Sequence, residues 1–167
     1  MTRRISLPLL TLILAAGGFL AAPAHAHAHD SAEKAGEAVN TDKTGLALRG
    51  YDPVSFFVGD EPQQGNFQIA AQHHGATYWF ASEDNKKTFE ADPHRYLPQF
   101  GGYCAYGVAI GRKFSADPEV YLVRDGKLYV NLNPAIAEVF TGDLDKHIDD
   151  AQSNWSRIAD TPADEIE

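Results

Sequence analysis

The sequence predicts a small single-domain protein of the α+β class. Two runs of strand composition are each interrupted by a turn sequence, at residues 73–75 and at residues 125–126. Each run is followed by a segment that opens with a helix-starting residue, Ser82 after the first and Pro134 after the second. Two hairpins and several helices in a chain of this length indicate one α+β domain.

Residues 1–26 have the composition of a cleavable signal peptide. Two arginines make a short basic start, and residues 7–22 are almost wholly apolar. Small residues then permit cleavage after Ala24 or after Ala26. The apolar run falls short of the about 20 residues that span a bilayer, so we expect no stable membrane anchor after cleavage. The sequence therefore predicts a periplasmic or secreted protein.

The charge of the chain limits its partners. The full sequence carries a formal net charge of −9, and the leader contains two arginines and no acid, so the exported chain carries −11. A strongly acidic protein is repelled by nucleic acid and by anionic lipid. We therefore expect no nucleic-acid partner, whereas a metal cation or a protein partner suits this charge.

The exported chain divides into three parts. Residues 27–44 are rich in Ala, His, Glu, Lys and Asp and predict a flexible arm. Residues 45–158 hold the folded domain. Residues 159–167 are polar and acidic and predict a loose tail.

The first half of the domain predicts a hairpin and a helix. Residues 67–71 and 76–80 have strand composition on either side of the first turn. Ser82 is a suitable N-cap for a helix that ends near Ala91, because Pro93 follows. A short helical turn is expected after that proline.

The second half predicts a loop, a hairpin and two helices. Residues 101–107 form a glycine-punctuated loop. Strand segments at residues 120–123 and 128–132 enclose the Asp-Gly turn. One helix is expected over residues 134–141 and an amphipathic helix over residues 144–158.

Several motifs, in this order, resemble one known family. They are Gly-Tyr-Asp-Pro-Val at residues 50–54, the strand and helix segments at residues 75–82 and 89–96, Gly-Gly-Tyr-Cys-Ala-Tyr-Gly-Val-Ala at residues 101–109, and Asp-Gly-Lys-Leu-Tyr-x-Asn-Leu-Asn at residues 125–133. The domain is therefore similar to exported bacterial YHS-domain proteins, a family related to TRASH-like metal-binding domains.

The resemblance implies a strand–helix unit and a metal-related role. In the metal-binding relatives two cysteines flank the helix, and the matching positions here hold Ala81 and Asn85. Neither side chain supplies a thiolate, so the relatives' metal site is not carried over to these positions.

Cys104, His73 and His74 are the candidate metal ligands of the domain. Cys104 is the only cysteine, so it has no intrachain disulfide partner, and its glycine-rich surroundings permit close approach of a ligand. The alternatives are a buried small side chain or a reactive thiol for Cys104, and surface or packing positions for the histidines. If Cys104 binds a metal, we expect a histidine nitrogen within about 5 Å of its sulfur.

His27 and His29 are candidate metal ligands in the arm. After cleavage at either position the exported chain starts His-Ala-His. Its amino group, two amide nitrogens and third-position imidazole make a square-planar set that suits Cu(II) or Ni(II). The alternative is that small residues and histidines merely suit a cleavage region.

The leading hypothesis is an exported, non-enzymatic protein that binds or handles copper or another soft transition-metal ion. The alternative is a protein-interaction module with a degenerate metal site and no metal. An enzyme is disfavoured because the sequence contains no nucleophile elbow, phosphate-binding glycine loop or His-Glu-x-x-His motif, so we assign no catalytic residue.

Overall fold

The structure, a computed structural model, describes residues 38–166. The predicted signal peptide, the arm up to residue 37, and His27 and His29 therefore lie outside the described residues. In chain order the elements are β1 (Asn66–His73), β2 (Ala76–Phe80), α1 (Glu83–Ala91), α2 (Pro93–Tyr96), α3 (Ala105–Ala109), β3 (Asp117–Arg124), β4 (Lys127–Asn131), α4 (Pro134–Gly142) and α5 (Leu144–Ile158). Short 3₁₀ turns cover Leu48–Gly50 and Gln99–Gly102. The predicted α+β class is confirmed.

β1 and β2 form the first of two antiparallel hairpins. His73 pairs with Ala76 next to the turn, and β1 bulges near its start. The side chains of β2 alternate, with Ala76, Tyr78 and Phe80 buried, because successive strand residues point to opposite faces.

Helix α1 begins and ends where the sequence predicts. The Ser82 hydroxyl accepts a hydrogen bond from the backbone N of Asn85 at 3.1 Å, which caps the first turn. The helix ends at Ala91, and Pro93 starts the short helix α2.

β3 and β4 form a separate hairpin. Asp125 and Gly126 have φ values of 53° and 71°, as a type I′ turn requires. Helix α4 starts at Pro134, and the Asn133 side chain caps it by accepting a hydrogen bond from the backbone N of Ile136 at 3.0 Å.

The glycine-rich segment is not a loop throughout. The prediction of a loop over residues 101–107 is wrong for residues 105–107, which belong to α3 (Ala105–Ala109). Gly101 and Gly102 have φ values of 61° and 80° and do turn the chain. Gly107 instead lies inside α3, where a Cβ atom would approach the Phe114 side chain to 2.8 Å. This glycine serves close packing, which a sequence pattern does not distinguish from a turn.

Two hydrophobic clusters fill the interior. The first joins both hairpins to α1 and contains Phe80, Phe89 and Tyr96, whose shared burial the sequence predicts. The second packs α5 against α3 and β4 and includes Phe140 and Ala151, both fully buried. In residues 38–166 no helix is long and apolar enough to cross a membrane.

The packed part of the chain starts earlier than predicted. Val39 is buried. Asn40 donates hydrogen bonds from its backbone N to Gly101 O at 2.8 Å and from Nδ2 to Gly102 O at 3.0 Å. Val39 and Asn40, which the sequence analysis placed in a flexible arm, are therefore held against the domain.

The C-terminal segment is also held more firmly than a loose tail. Lys113 Nζ donates hydrogen bonds to the carbonyl oxygens of Ala159 and Thr161, both at 2.7 Å. Arg112 Nη1 donates to Ile166 O at 2.7 Å. The prediction missed these contacts because their acceptors are backbone carbonyls, which leave no pattern in the sequence.

Candidate metal site

The first hairpin and α1 form one unit, in which α1 runs back toward the turn between β1 and β2. β2 leaves the turn for five residues, about 16 Å, and α1 runs back for nine residues, about 14 Å. The end of α1 therefore lies level with the hairpin turn, and α2 begins there. This geometry brings His94 of α2 beside His73 and His74.

His74 occupies the first position of the two-residue turn. Its φ is 48° and that of Gly75 is 76°, so both residues take the left-handed conformation of a type I′ turn. Histidine is among the non-glycine residues enriched in that region. The turn holds His74 at the exposed tip of the hairpin, next to His73 at the end of β1.

Three imidazoles converge at this end of the unit. One ring nitrogen from each of His73, His74 and His94 lies within 4.8 Å of the other two. The ring centroids of His73 and His74 are 4.2 Å apart, and His94 lies 5.7 Å from His73 and 6.0 Å from His74. The spacing is close to that of ligands around one metal ion.

His73 is the least accessible of the three. Its ring packs edge-on against Phe89, with centroids 5.9 Å apart, while His74 and His94 are exposed. Its Nε2 atom is buried and has no hydrogen-bond partner within the described part of the chain. A buried polar atom without a partner is uncommon and costs free energy, so a ligand that used its lone pair would stabilise this site.

The surroundings of His73 favour its neutral form. Burial lowers the pKa of His73 below its ordinary value, and positive charge on His74 or His94 lowers this pKa further. His73 is therefore uncharged at neutral pH, the form in which an imidazole binds a metal.

A groove of about 580 Å³ opens beside the three histidines. His74 and His94 both line it, and so do the aromatic residues Phe100 and Trp155. A volume of this size lies within the range of ligand-binding sites, about 300–1,000 Å³.

Cys104 is not in the histidine cluster. It lies in the first hydrophobic cluster, with 1% of its surface exposed. Its Sγ accepts a hydrogen bond from the backbone N of Gly107 at 3.4 Å and lies 3.7 Å from Asn131 Oδ1. Within residues 38–166 it belongs to no group of three or more converging His, Cys, Asp or Glu side chains. Its surroundings match a buried small side chain that also caps helix α3.

A carboxylate lies at the other end of α1, beside Ala81 and Asn85. Asp52 is fully buried, and its Oδ2 accepts hydrogen bonds from the backbone N of Ala81 at 2.8 Å and from Asn85 Nδ2 at 2.6 Å. Its Oδ1 accepts from the backbone N of Val54 at 2.8 Å. The two positions without cysteine are thus joined by an internal hydrogen-bond network.

The structure thus brings together two of the predicted ligands and adds one. His73 and His74 lie in the cluster, Cys104 does not, and His94 was not among the candidate ligands. A signal for His94 was available. The helix that Ser82 caps has the right length to return the chain to the hairpin turn, and His94 lies three residues after its last residue, Ala91. Comparison with family models, curated proteins and solved structures gives no match to this chain.

Proposed function

We propose that this exported protein binds a first-row transition-metal ion through His73, His74 and His94 and handles that ion without catalysing a reaction. One observation carries the proposal. Three imidazoles offer nitrogens within 4.8 Å of one another, and the buried Nε2 of His73 has no partner among the described residues.

The spacing is compatible with coordination after small movements. Nitrogens bound to one tetrahedral ion at about 2.0–2.1 Å lie about 3.3 Å apart. The side chains of His74 and His94 are exposed, so their rings are free to close the remaining distance onto His73. His73, the more enclosed histidine, thus fixes the position of the ion, and His74 and His94 adjust to it.

The chemistry of the three ligands limits which metal ions suit the site. Imidazole suits Zn(II), Cu(II) and Ni(II), whereas Cu(I) prefers thiolate or thioether sulfur. The cluster contains nitrogen ligands only, and Cys104 lies outside it. We therefore narrow the sequence-based hypothesis of a soft metal to a borderline ion, copper in its Cu(II) state or zinc.

The family resemblance supports a metal-related role on the same strand–helix unit. In the metal-binding relatives the ligands flank the start of the helix. Here that start is closed by Asp52, and the histidines lie at the opposite end. The proposal therefore places metal binding in the same unit but at a different end of it.

Zinc titration of the exported protein tests the proposal. Zn(II) is the sharper probe because the His-Ala-His start of the arm favours Cu(II) and Ni(II). The parent protein is expected to bind one Zn(II) in competition with a chromogenic chelator, and His73→Gln and His94→Gln to lose about 100-fold or more in affinity. The affinity should also fall as the solution is made acidic, because protons compete with the metal ion for the imidazole nitrogens.

His147→Gln is the matched control. His147 lies on α5, where its Nδ1 is 2.9 Å from Phe140 O, and it takes no part in the cluster. This variant should bind Zn(II) like the parent. If the parent binds no Zn(II), or if His73→Gln and His94→Gln bind it as the parent does, the metal proposal is wrong and the interaction-module alternative is favoured.

A further inference from the structure

The three-histidine cluster leaves one position of a tetrahedral ion unfilled. Zinc usually takes four ligands, and a site with three protein ligands leaves the fourth position to water or to a bound molecule. Among residues 38–166 no further His, Cys, Asp or Glu joins the converging group. Two of its imidazoles, those of His74 and His94, also line the groove. A molecule bound in the groove therefore has access to the unfilled position.

The same groove has an aromatic and aliphatic wall. Phe100 and Trp155 both line it and pack against each other, with ring centroids 6.1 Å apart. Leu97 and Pro98 add aliphatic surface beside them. Aromatic rings prefer offset-stacked or edge-to-face contacts with other rings, so this wall suits a flat aromatic molecule. The volume of about 580 Å³ is sufficient for a small organic ligand.

The charge of the groove depends on the metal. Its described lining contains one acidic residue, Asp160, and neither Lys nor Arg. Without metal, this carboxylate opposes the binding of an anion. An ion bound by three neutral imidazoles keeps its two positive charges, which outweigh the single carboxylate and attract an anion to the unfilled position.

A small aromatic carboxylate satisfies both conditions. Carboxylate oxygen is an ordinary ligand of zinc, at about 2.0–2.2 Å, and it neutralises part of the charge of the ion. The ring of such a molecule can pack against Phe100 and Trp155 in the same groove. An aliphatic acid as small as acetate lacks the ring, and a neutral aromatic molecule lacks the anion.

We infer that the groove binds a small aromatic carboxylate when metal is present and that the carboxylate fills the fourth position of the ion. This inference rests on the proposed function and names the ligand that shares the site. Metal and acid then strengthen each other's binding by the same factor, because the coupling between two ligands is reciprocal. The protein accordingly holds the ion most firmly as a complex with the organic acid.

Equilibrium dialysis of the exported protein with 2-naphthoate tests this inference at mildly alkaline pH. Zn(II) should raise the affinity for naphthoate about tenfold or more, and naphthoate should raise the affinity for Zn(II) by the same factor. Naphthalene-2-carboxamide is the matched control without charge and should gain nothing from Zn(II). Acetate is the control without a ring and should bind the zinc-loaded protein about tenfold more weakly than naphthoate.

The two tryptophans of the chain locate the ligand. Trp155 lines the groove, whereas Trp79 packs against Phe67, with ring centroids 6.4 Å apart, and is not part of the groove lining. In isotope-labelled, zinc-loaded protein, naphthoate should shift the indole N–H resonance of Trp155 and leave that of Trp79 in place. Conservative Trp155→Phe and Trp79→Phe variants assign the two resonances.

The outcomes separate this inference from the proposed function. If Zn(II) binds and is lost in His94→Gln, but naphthoate binds equally with and without it, the inference is wrong and the proposed function stands. A naphthoate-induced shift of Trp79 in place of Trp155 would also overturn the inference alone. If the parent binds no Zn(II), or if His94→Gln binds it as the parent does, both are wrong.

Discussion

The two ends of helix α1 hold buried polar groups under opposite conditions. At the N-terminal end the Asp52 carboxylate is fully buried and accepts hydrogen bonds from three donors, on Val54, Ala81 and Asn85. At the C-terminal end His73 Nε2 is buried without a partner in the described residues, beside two exposed imidazoles.

This difference separates a buried polar group whose hydrogen bonds are made within the fold from one that lacks a partner among the described residues. Leaving a buried polar atom without a partner costs about 1–3 kcal/mol, so most such atoms are paired. At the N-terminal end of α1, here called the closed end, Asp52 has its hydrogen-bond partners within the chain. At the C-terminal end, here called the open end, His73 Nε2 lacks a partner among the described residues, and a metal ion that accepts its lone pair would supply one.

The largest effect is expected at the closed end. Asp52→Ala should lower the free energy of unfolding by about 3 kcal/mol or more, because three donors lose a buried acceptor at about 1–3 kcal/mol each. Urea unfolding of the metal-free protein measures it. Asp42→Ala is the control, since exposed Asp42 makes similar bonds to the backbone N of Thr44 (2.8 Å) and Leu46 (3.0 Å). Equal losses in the two variants would contradict the distinction.

At the open end, we expect substitution of a histidine to change the free energy of unfolding only when metal is present. At free Zn(II) 100-fold above its dissociation constant, the parent should gain about 2.7 kcal/mol of stability. His94→Gln should lose this gain, yet unfold within about 0.5 kcal/mol of the parent when no metal is present, because exposed side chains contribute little. Thermal unfolding with and without Zn(II) measures both. A large loss in the metal-free variant would show that His94 is structural.

A smaller effect is expected at Cys104, which lies at neither end. Cys104→Ala should cost about 1 kcal/mol, because the backbone N of Gly107 loses an acceptor and a small space opens in the core. Zinc affinity should stay at the parent value, as measured by the same chelator competition. Weaker zinc binding in this variant would link Cys104 to the metal site.

The smallest effect concerns alkaline pH and the strand between the two ends. Burial raises the pKa of Tyr78 well above its ordinary value of about 10, so the unfolded chain releases this proton at lower pH than the folded one. Stability should therefore fall as pH rises above about 10, and Tyr78→Phe should make that fall shallower. Urea unfolding at pH 8 and pH 10.5 measures the change. An equally steep fall in Tyr78→Phe would contradict the burial effect.

Local chemistry made most elements of the fold predictable. Ser82 caps α1, the Asp-Gly pair makes the second turn, and α5 has the predicted bounds, because capping, turn conformation and helical periodicity all act over a few residues. Helix α3 was missed because Gly107 suggests a turn, whereas the structure uses it to admit Phe114.

The candidate site was only partly predictable because its members meet through the fold. His73 and His74 are neighbours in the sequence, but His94 joins them only because the lengths of β2 and α1 nearly match. Asp52 reaches Asn85 across 33 positions of the chain, and no local pattern signals that contact. Cys104 looked like a ligand because its glycines resemble a binding loop, and only its burial shows the more ordinary role.

The hydrogen bonds from Lys113 and Arg112 to the C-terminal segment determine which sequence changes that segment tolerates. Both side chains hold backbone carbonyls, of Ala159, Thr161 and Ile166, and every amino acid offers a carbonyl. Substitutions in this segment therefore leave these hydrogen bonds intact, whereas shortening the segment removes them. A chain shortened to residue 158 would leave the largely buried ammonium of Lys113 without these two acceptors, whereas a chain with other side chains at the same positions would keep them.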